Sequence, residues 1–281
     1  MSPLVAYQGE PGAFAEDAVL AFFDDPETIS LPSWREVFEA VRDGRADAGV
    51  VPIESSMAGT IRETLDLLAE FDLAIVGEAS VPVRLAMLAA PGTTIEEIER
   101  VYSHPQALAQ ADAFLRARPW QVMTAYNTAG AAKLVAESGD AGTAAIASPR
   151  AAALYGLEVL VDGVQTGDDN RTRFVVLARP GGPAVARQAD PAATTSRTTL
   201  AFAVRNVPGS LHSCLGAFAT RGVNLTRLES RPARTARWEY VFWVDVDGDP
   251  ADPVFAAALD ELRERCEMVR VVGTYPRAAE D

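Results

Sequence analysis

Side chains able to bind or polarise a small anion gather just past several apolar runs of this 281-residue chain. Gln8-Gly9 follows the first run and Glu54-Ser55-Ser56-Met57-Ala58-Gly59 another. Ser103-His104-Pro105-Gln106 and Asn127-Thr128-Ala129-Gly130 follow two more. Each junction leads into a helical stretch, whose free first-turn N–H groups can hold a carboxylate. Ser103 with Gln106 three residues on is equally a capping box, and Thr128 an N-cap. Capping does not account for Gln110, which lies two helical turns beyond Ser103 and shares its face. Asp168-Asp169-Asn170-Arg171-Thr172-Arg173-Phe174 is a further concentration, a turn running into a strand. There Arg173 offers a two-pronged carboxylate clamp and Thr172 a hydroxyl. His104 is the conventional acid or base, but a lone histidine beside a cap serves structure as readily, and it takes no proton-transfer role here.

The residue inventory excludes other chemistries. Two cysteines, Cys214 and Cys266, and two histidines, His104 and His212, have no spacing that assembles a zinc site or a disulfide framework. Lys133 is the only lysine, so Schiff-base chemistry has one candidate. Neither a GxxxxGK[ST] loop nor a GxGxxG after a strand is present. With 25 basic and 39 acidic residues the net charge is −14, which disfavours nucleic acid and anionic membranes. An anionic ligand must then be held by local dipoles and a few arginines against the global field. The start runs straight into a strand without a signal peptide and no apolar run reaches spanning length, so a cytoplasmic location is expected.

These residues need elements to position them. Up to about residue 178 strands alternate with helices, and repeated βα units argue a mainly parallel sheet covered on both faces. Strands are expected at Leu4–Gln8, Thr28–Leu31, Ala48–Ile53, Leu73–Val76, Val83–Leu88, Val101–Tyr102, Gln121–Ala125, Thr143–Ala147, Leu157–Val161 and Arg173–Leu177. Ser33-Trp34-Arg35-Glu36 is a capping box opening a helix to Arg42. The region divides into two lobes, the second spanning roughly residues 80–158. Residues 179–198, rich in Pro, Gly and Ala, read as a linker. Beyond it Thr199–Val204, Ser210–Arg221, Val223–Leu228, Tyr240–Val246, Pro250–Cys266 and Met268–Thr274 run βαββαβ, the ferredoxin-like order of an α+β domain over 199–281. In such open α/β sheets ligands bind beyond the carboxyl ends of the strands, where the polar junctions fall.

Gly9-Glu10-Pro11-Gly12-Ala13-Phe14, Val51-Pro52-Ile53-Glu54-Ser55-Ser56 with Gly59, Ser103-His104-Pro105-Gln106-Ala107-Leu108 and Thr172-Arg173-Phe174 together resemble prephenate dehydratase. Pro208-Gly209-Ser210-Leu211, Gly222-Val223-Asn224 and Glu229-Ser230-Arg231-Pro232 resemble the ACT domain attached to that enzyme. The resemblance implies a two-lobed catalytic region like the type II periplasmic binding proteins, over residues 1–178, followed by a ferredoxin-like ACT domain. It implies conversion of prephenate to phenylpyruvate, with aromatisation as driving force and no cofactor or metal. Thr172 would be the essential hydroxyl, donating a hydrogen bond to the departing oxygen. Ser103, Gln110 and Ser55 complete the catalytic set. Arg173, Glu54, Ser56, Asn127, Thr128 and Phe174 are expected to contact substrate.

For the C-terminal domain the resemblance implies phenylalanine as effector, bound across a dimer interface by Asn206, Pro208, Gly209, Ser210, Leu211, Asn224, Glu229, Ser230 and Arg231. It suggests a homodimer or homotetramer with feedback regulation. The chain departs from the family at Ser55, where Asn is usual, at Ser210, where Ala is usual, and at Arg84 and Ala111, where His and Cys are common. Two alternatives stay open: an arogenate dehydratase, for which a carboxylate such as Glu54 would meet the substrate ammonium, and a non-catalytic small-molecule sensor.

Overall fold

The computed structural model describes residues 2–167, 169–182, 195–233 and 240–278. Asp168 and residues 183–194 of the expected linker lie outside the described residues.

The first lobe begins β1 (Leu4–Gln8), α1 (Phe14–Phe22), β2 (Glu27–Leu31), α2 (Trp34–Arg42) and β3 (Ala48–Ser55). It continues through β4 (Gly59–Thr60), α3 (Arg62–Glu70) and β5 (Ala74–Pro82). Ser33 opens α2 as its spacing with Glu36 predicts, accepting from Glu36 N at 3.2 Å. The second lobe holds β6 (Ala86–Ala89), β7 (Arg100–Ser103), α4 (Pro105–Gln110), α5 (Asp112–Arg116) and β8 (Gln121–Thr124). It closes with α6 (Thr128–Ser138), β9 (Thr143–Ala147), α7 (Pro149–Tyr155) and β10 (Glu158–Asp162). From there β11 (Arg171–Ala178) returns to the first lobe.

The first-lobe sheet has the order β2-β1-β3-β11-β5, with β4 beside β3. β1, β2 and β3 are parallel, but β11 is antiparallel to both β3 and β5. This departs from a mainly parallel sheet for a simple reason. The chain re-enters from the second lobe, so β11 starts at the cleft where its neighbours end. β3 is buried almost throughout, as befits a central strand with helices on both faces. The second sheet has the order β10-β6-β9-β7-β8 and includes β10, so this lobe runs to residue 162 rather than 158. The two crossing segments are tied by Val83 N donating to Asn170 O at 2.7 Å.

The C-terminal domain follows as β12 (Ser196–Ala203), α8 (Ser210–Ala219), β13 (Leu225–Pro232), β14 (Tyr240–Asp247), α9 (Pro253–Arg265) and β15 (Met268–Pro276). Its sheet order β13-β14-β12-β15 is the ferredoxin-like arrangement. β12 starts at Ser196, so the last three residues expected as linker are strand. Alternation along the strands makes two apolar faces. Leu200, Phe202, Val244 and Val246 pack under the helices with Phe218 and Phe255. Ala201, Trp243, Val272 and Tyr275 join the first-lobe core with Leu68, Phe71, Leu73 and Ile75. The contact is close enough that a Cβ on Gly273 would sit 2.0 Å from Ile75 O. Among the described residues no helix is long and apolar enough to cross a membrane.

Candidate active site

A cleft of about 480 Å³ lies between the lobes, within the range of small-molecule sites. Thr172 and Phe174 reach it from β11, Ser55 from the end of β3, Gln110 from α4, and Asn127 and Thr128 from the start of α6. Thr172 is the register partner of Ser55, so the two residues meet where their strands reach the cleft. Ser55 Oγ also accepts from Met57 N and Ala58 N, both at 3.3 Å, and so closes the turn after β3. Gln110 is 9% exposed, and its Oε1 accepts from Asn170 Nδ2 at 3.0 Å.

Four other expected residues stand away from the cleft wall. Arg173 is not a substrate clamp: strand alternation turns it to the opposite face of β11 from Thr172. Its guanidinium meets Glu54 at 2.9 Å, Glu78 at 3.1 Å and Asp245 at 2.5 Å, between the first lobe and the C-terminal domain. Burial opposes its charge, but Asp245 first and Glu78 after it hold Arg173 above the ordinary arginine range. Glu54 is committed to that pair and does not line the cleft. Ser56 ties its turn to the start of β11, donating to Asp169 O at 3.2 Å and accepting from Arg171 N at 3.0 Å. Ser103 is fully buried at the end of β7, where its hydroxyl donates to Ile146 O at 2.5 Å. A residue at a strand tip does not continue the face of the helix that follows it, so Ser103 and Gln110 part company.

What the cleft offers an anion is helix ends. The first residues of α1, α2 and α6 line it as Phe14-Ala15, Trp34 and Thr128. First-turn N–H groups have no intrahelical acceptor, and the helix dipole adds positive potential there. The Asn127 side chain caps α6 through Oδ1 on Gly130 N, which leaves its Nδ2 buried and without a partner among the described residues. Among the described lining residues there is no Lys or Arg, and Glu63 is the one carboxylate. His104 lines the cleft, its Nδ1 accepting from Gln106 N at 3.3 Å. Burial lowers its pKa, so the imidazole is neutral at neutral pH.

The sequence reading takes Ser33-Trp34 only as a cap and Asn170 only as part of a turn, and it does not include Glu63 or Tyr126. The junction rule that singled out the other strand ends would have found Ser33-Trp34, since they follow β2. Tyr126 bridges the lobes, donating to Glu10 Oε1 at 2.8 Å. Its hydroxyl is pushed up to about 12 by burial first and by Glu10 second. The expected effector residues also divide. Gly209, in the left-handed region at φ 83°, leads into α8 with Ser210 and Leu211. Glu229 and Arg231 face α3 instead, pairing with Arg62 at 3.2 Å and Asp66 at 2.7 Å. Asn224 precedes β13 at the sheet end marked by Arg197 and Asp247, whereas the Pro208–Leu211 segment follows the Ala203 end. The strand between those ends is about 20 Å long.

Comparison with known proteins bears on this site. A family model for prephenate dehydratase matches residues 5–181, and one for the ACT domain matches residues 198–264. Arogenate dehydratase 1 of Petunia hybrida is 41% identical over 97% of the chain, which spans 66% of that protein's length. The crystal structure of prephenate dehydratase from Arthrobacter aurescens in complex with L-Phe is 33% identical, with TM-score 0.87. That alignment covers 98% of this chain and 90% of the other. A structure described as GqqA, a novel type of quorum quenching acylase, is 37% identical over 98% of both chains, with TM-score 0.86.

Proposed function

The chain belongs to the prephenate dehydratase family, and from that premise we propose that it converts prephenate to phenylpyruvate in L-phenylalanine biosynthesis. The observation that carries this reading is a cleft whose anion-binding groups are helix N-termini and amide donors, with the Thr172 hydroxyl beside them. Prephenate is a dianion that loses one carboxylate as carbon dioxide. The electrons of the breaking C–C bond move through the diene, the ring becomes aromatic, and the C–O bond breaks with loss of hydroxide. The side-chain carboxylate is assigned to the N-termini of α1 and α6 and to Asn127 Nδ2. The departing ring carboxylate faces the apolar part of the lining, such as Ile61, Val83 and Leu85, where its charge gains little from solvation. Thr172 donates to the leaving oxygen in the transition state, with Gln110 and Ser55 as companion donors. A threonine hydroxyl is too weak an acid for full proton transfer at neutral pH, so its contribution is electrostatic.

Phenylalanine is assigned to the C-terminal domain as regulator. Asn224 and the Gly209 loop lie at opposite ends of one sheet, so a single site using both takes one from each of two chains. That division supports a homodimer, or a homotetramer of paired dimers, and the proposed biosynthetic role goes with a cytoplasmic location.

Arogenate is the second substrate reading, and Glu63 is the observation that favours it: a carboxylate in the cleft could pair with its ammonium. Glu54, held by Arg173, is not available for that role. The test is direct. Purified protein is incubated with prephenate and, separately, arogenate, following phenylpyruvate and phenylalanine. A kcat/KM for prephenate at least tenfold the higher is expected. Background rates on both would overturn the enzyme reading and leave the sensor.

A further inference from the structure

We propose that Asp245, in the C-terminal domain, is a positioning residue for the active site: through Arg173 it holds β11, and so sets the place of the Thr172 hydroxyl. This rests on the dehydratase reading for its catalytic consequence. The geometry itself is independent of that reading.

Arg173 and Thr172 are consecutive, so their side chains leave β11 on opposite faces and any shift of one moves the other's backbone. Arg173 is gripped from three strands. Glu54 on β3 and Glu78 on β5 belong to the strands flanking β11, and Asp245 belongs to β14 of the other domain. Asp245 is fully buried, and its remaining bonds come from its own domain. Arg227 Nε and Nη2 reach it at 2.8 and 2.9 Å, and Thr199 Oγ1 donates to it at 2.8 Å. It is therefore fixed within the C-terminal domain and extends one oxygen to Arg173.

On its β3 side the strand it grips is irregularly paired, while its ladder with β5 runs unbroken from Arg171 to Val176. Arg173 opposes Glu54 while Phe174 opposes Pro52, so the β3–β11 ladder carries an extra residue at Ile53. Such a bulge loosens pairing and re-aims side chains beside it. The β5 ladder sets the register of β11 here, so on the bulged β3 side the Arg173–Glu54 pair ties the two strands, and the clamp on Arg173 is completed from the C-terminal domain. A simple structural rivet between domains would need no such place. It could sit at Arg270, which bonds Leu68 O and Leu73 O, both at 3.0 Å, far from the bulge. A movement of the C-terminal domain on binding phenylalanine would change the third grip on Arg173 and reach Thr172 with no contact between the two ligands. By linkage the coupling between their binding must be reciprocal.

The test compares wild type with Asp245→Asn, which keeps the shape and removes the charge. Steady-state rates on prephenate, with and without phenylalanine, are read beside thermal unfolding and amide exchange of residues 171–178. The expected result is a kcat lower by about 10- to 100-fold with KM within about twofold, and faster exchange in β11 with β1 unchanged. Phenylalanine should still raise the unfolding temperature but no longer change kcat. A folded variant with wild-type kcat, phenylalanine response and β11 exchange overturns the proposal. Should Asp245→Asn fail to fold, Thr199→Val removes one neutral bond to the same carboxylate, and the same two readouts decide. A wild type inactive on prephenate would count against the dehydratase reading alone, and β11 exchange would then judge the clamp.

Discussion

Asn170 Nδ2 donates to Gln110 Oε1 at 3.0 Å, behind the cleft wall, so the carboxamide of Gln110 is oriented with its NH₂ group left for a ligand. Asn170 is 3% exposed and its own Oδ1 has no partner among the described residues. Asn170→Leu should therefore free the Gln110 side chain to rotate. We expect kcat to fall by about 10- to 100-fold, the scale of a small misplacement in an active site. Steady-state rates on prephenate check this, and unchanged kcat would show that Gln110 is oriented by something else.

Thr172→Val removes the hydroxyl and keeps a β-branched strand former, whereas Thr172→Ser keeps the hydroxyl. The valine variant should lose about 10²–10³ in kcat, the effect of deleting one preorganised donor. The serine variant should retain most of it, with the unfolding temperature little changed in both. High activity in the valine variant would remove Thr172 from the mechanism.

Ser55→Asn restores the carboxamide usual in the family at this position. The turn after β3 should survive, because an Asn oxygen can accept from Met57 N and Ala58 N as the serine does. One added donor to substrate is worth about 0.5–1.5 kcal/mol, so kcat/KM on prephenate should rise several-fold. A fall would mean the cleft is shaped around serine.

Gly273→Ala places a methyl group 2.0 Å from Ile75 O, where β15 lies on β5. The overlap is with backbone, which has little room to yield. A loss of about 1–3 kcal/mol is expected, read by denaturant unfolding, with faster amide exchange along β5 and β15 and not in the second lobe.

The buried charges also predict an acid response. Burial would raise the Asp245 carboxyl, but Arg227 and Arg173 outweigh it and hold the group below its ordinary range. In the unfolded chain an aspartate titrates near about 3.9. The folded chain takes up that proton only at lower pH, so this stabilisation is complete above about pH 4 and is lost as pH falls further. Melting temperatures from pH 6 to pH 3 should fall more steeply for wild type than for Asp245→Asn.

The polar strand ends were legible because they are local. Ser33 caps α2 as its three-residue spacing with Glu36 predicts, whereas α6 is capped by Asn127, one residue before the expected Thr128, and α4 by His104 rather than Ser103. The βαββαβ order of the last domain was legible for the same reason. Its seat on the first lobe was not, because it depends on strands nearly two hundred residues apart, such as β5 and β15.

Sequence alone pointed to neutral donors and helix ends as the chemistry of the cleft, with Ser55, Gln110, Asn127, Thr128 and Thr172 among them. Tertiary structure decided which face each donor occupies. Arg173 stands one residue from Thr172, and its partner Asp245 stands 72 residues further on. A single step along a strand reverses the side-chain direction, and only the packing of the second domain says what waits on the far side.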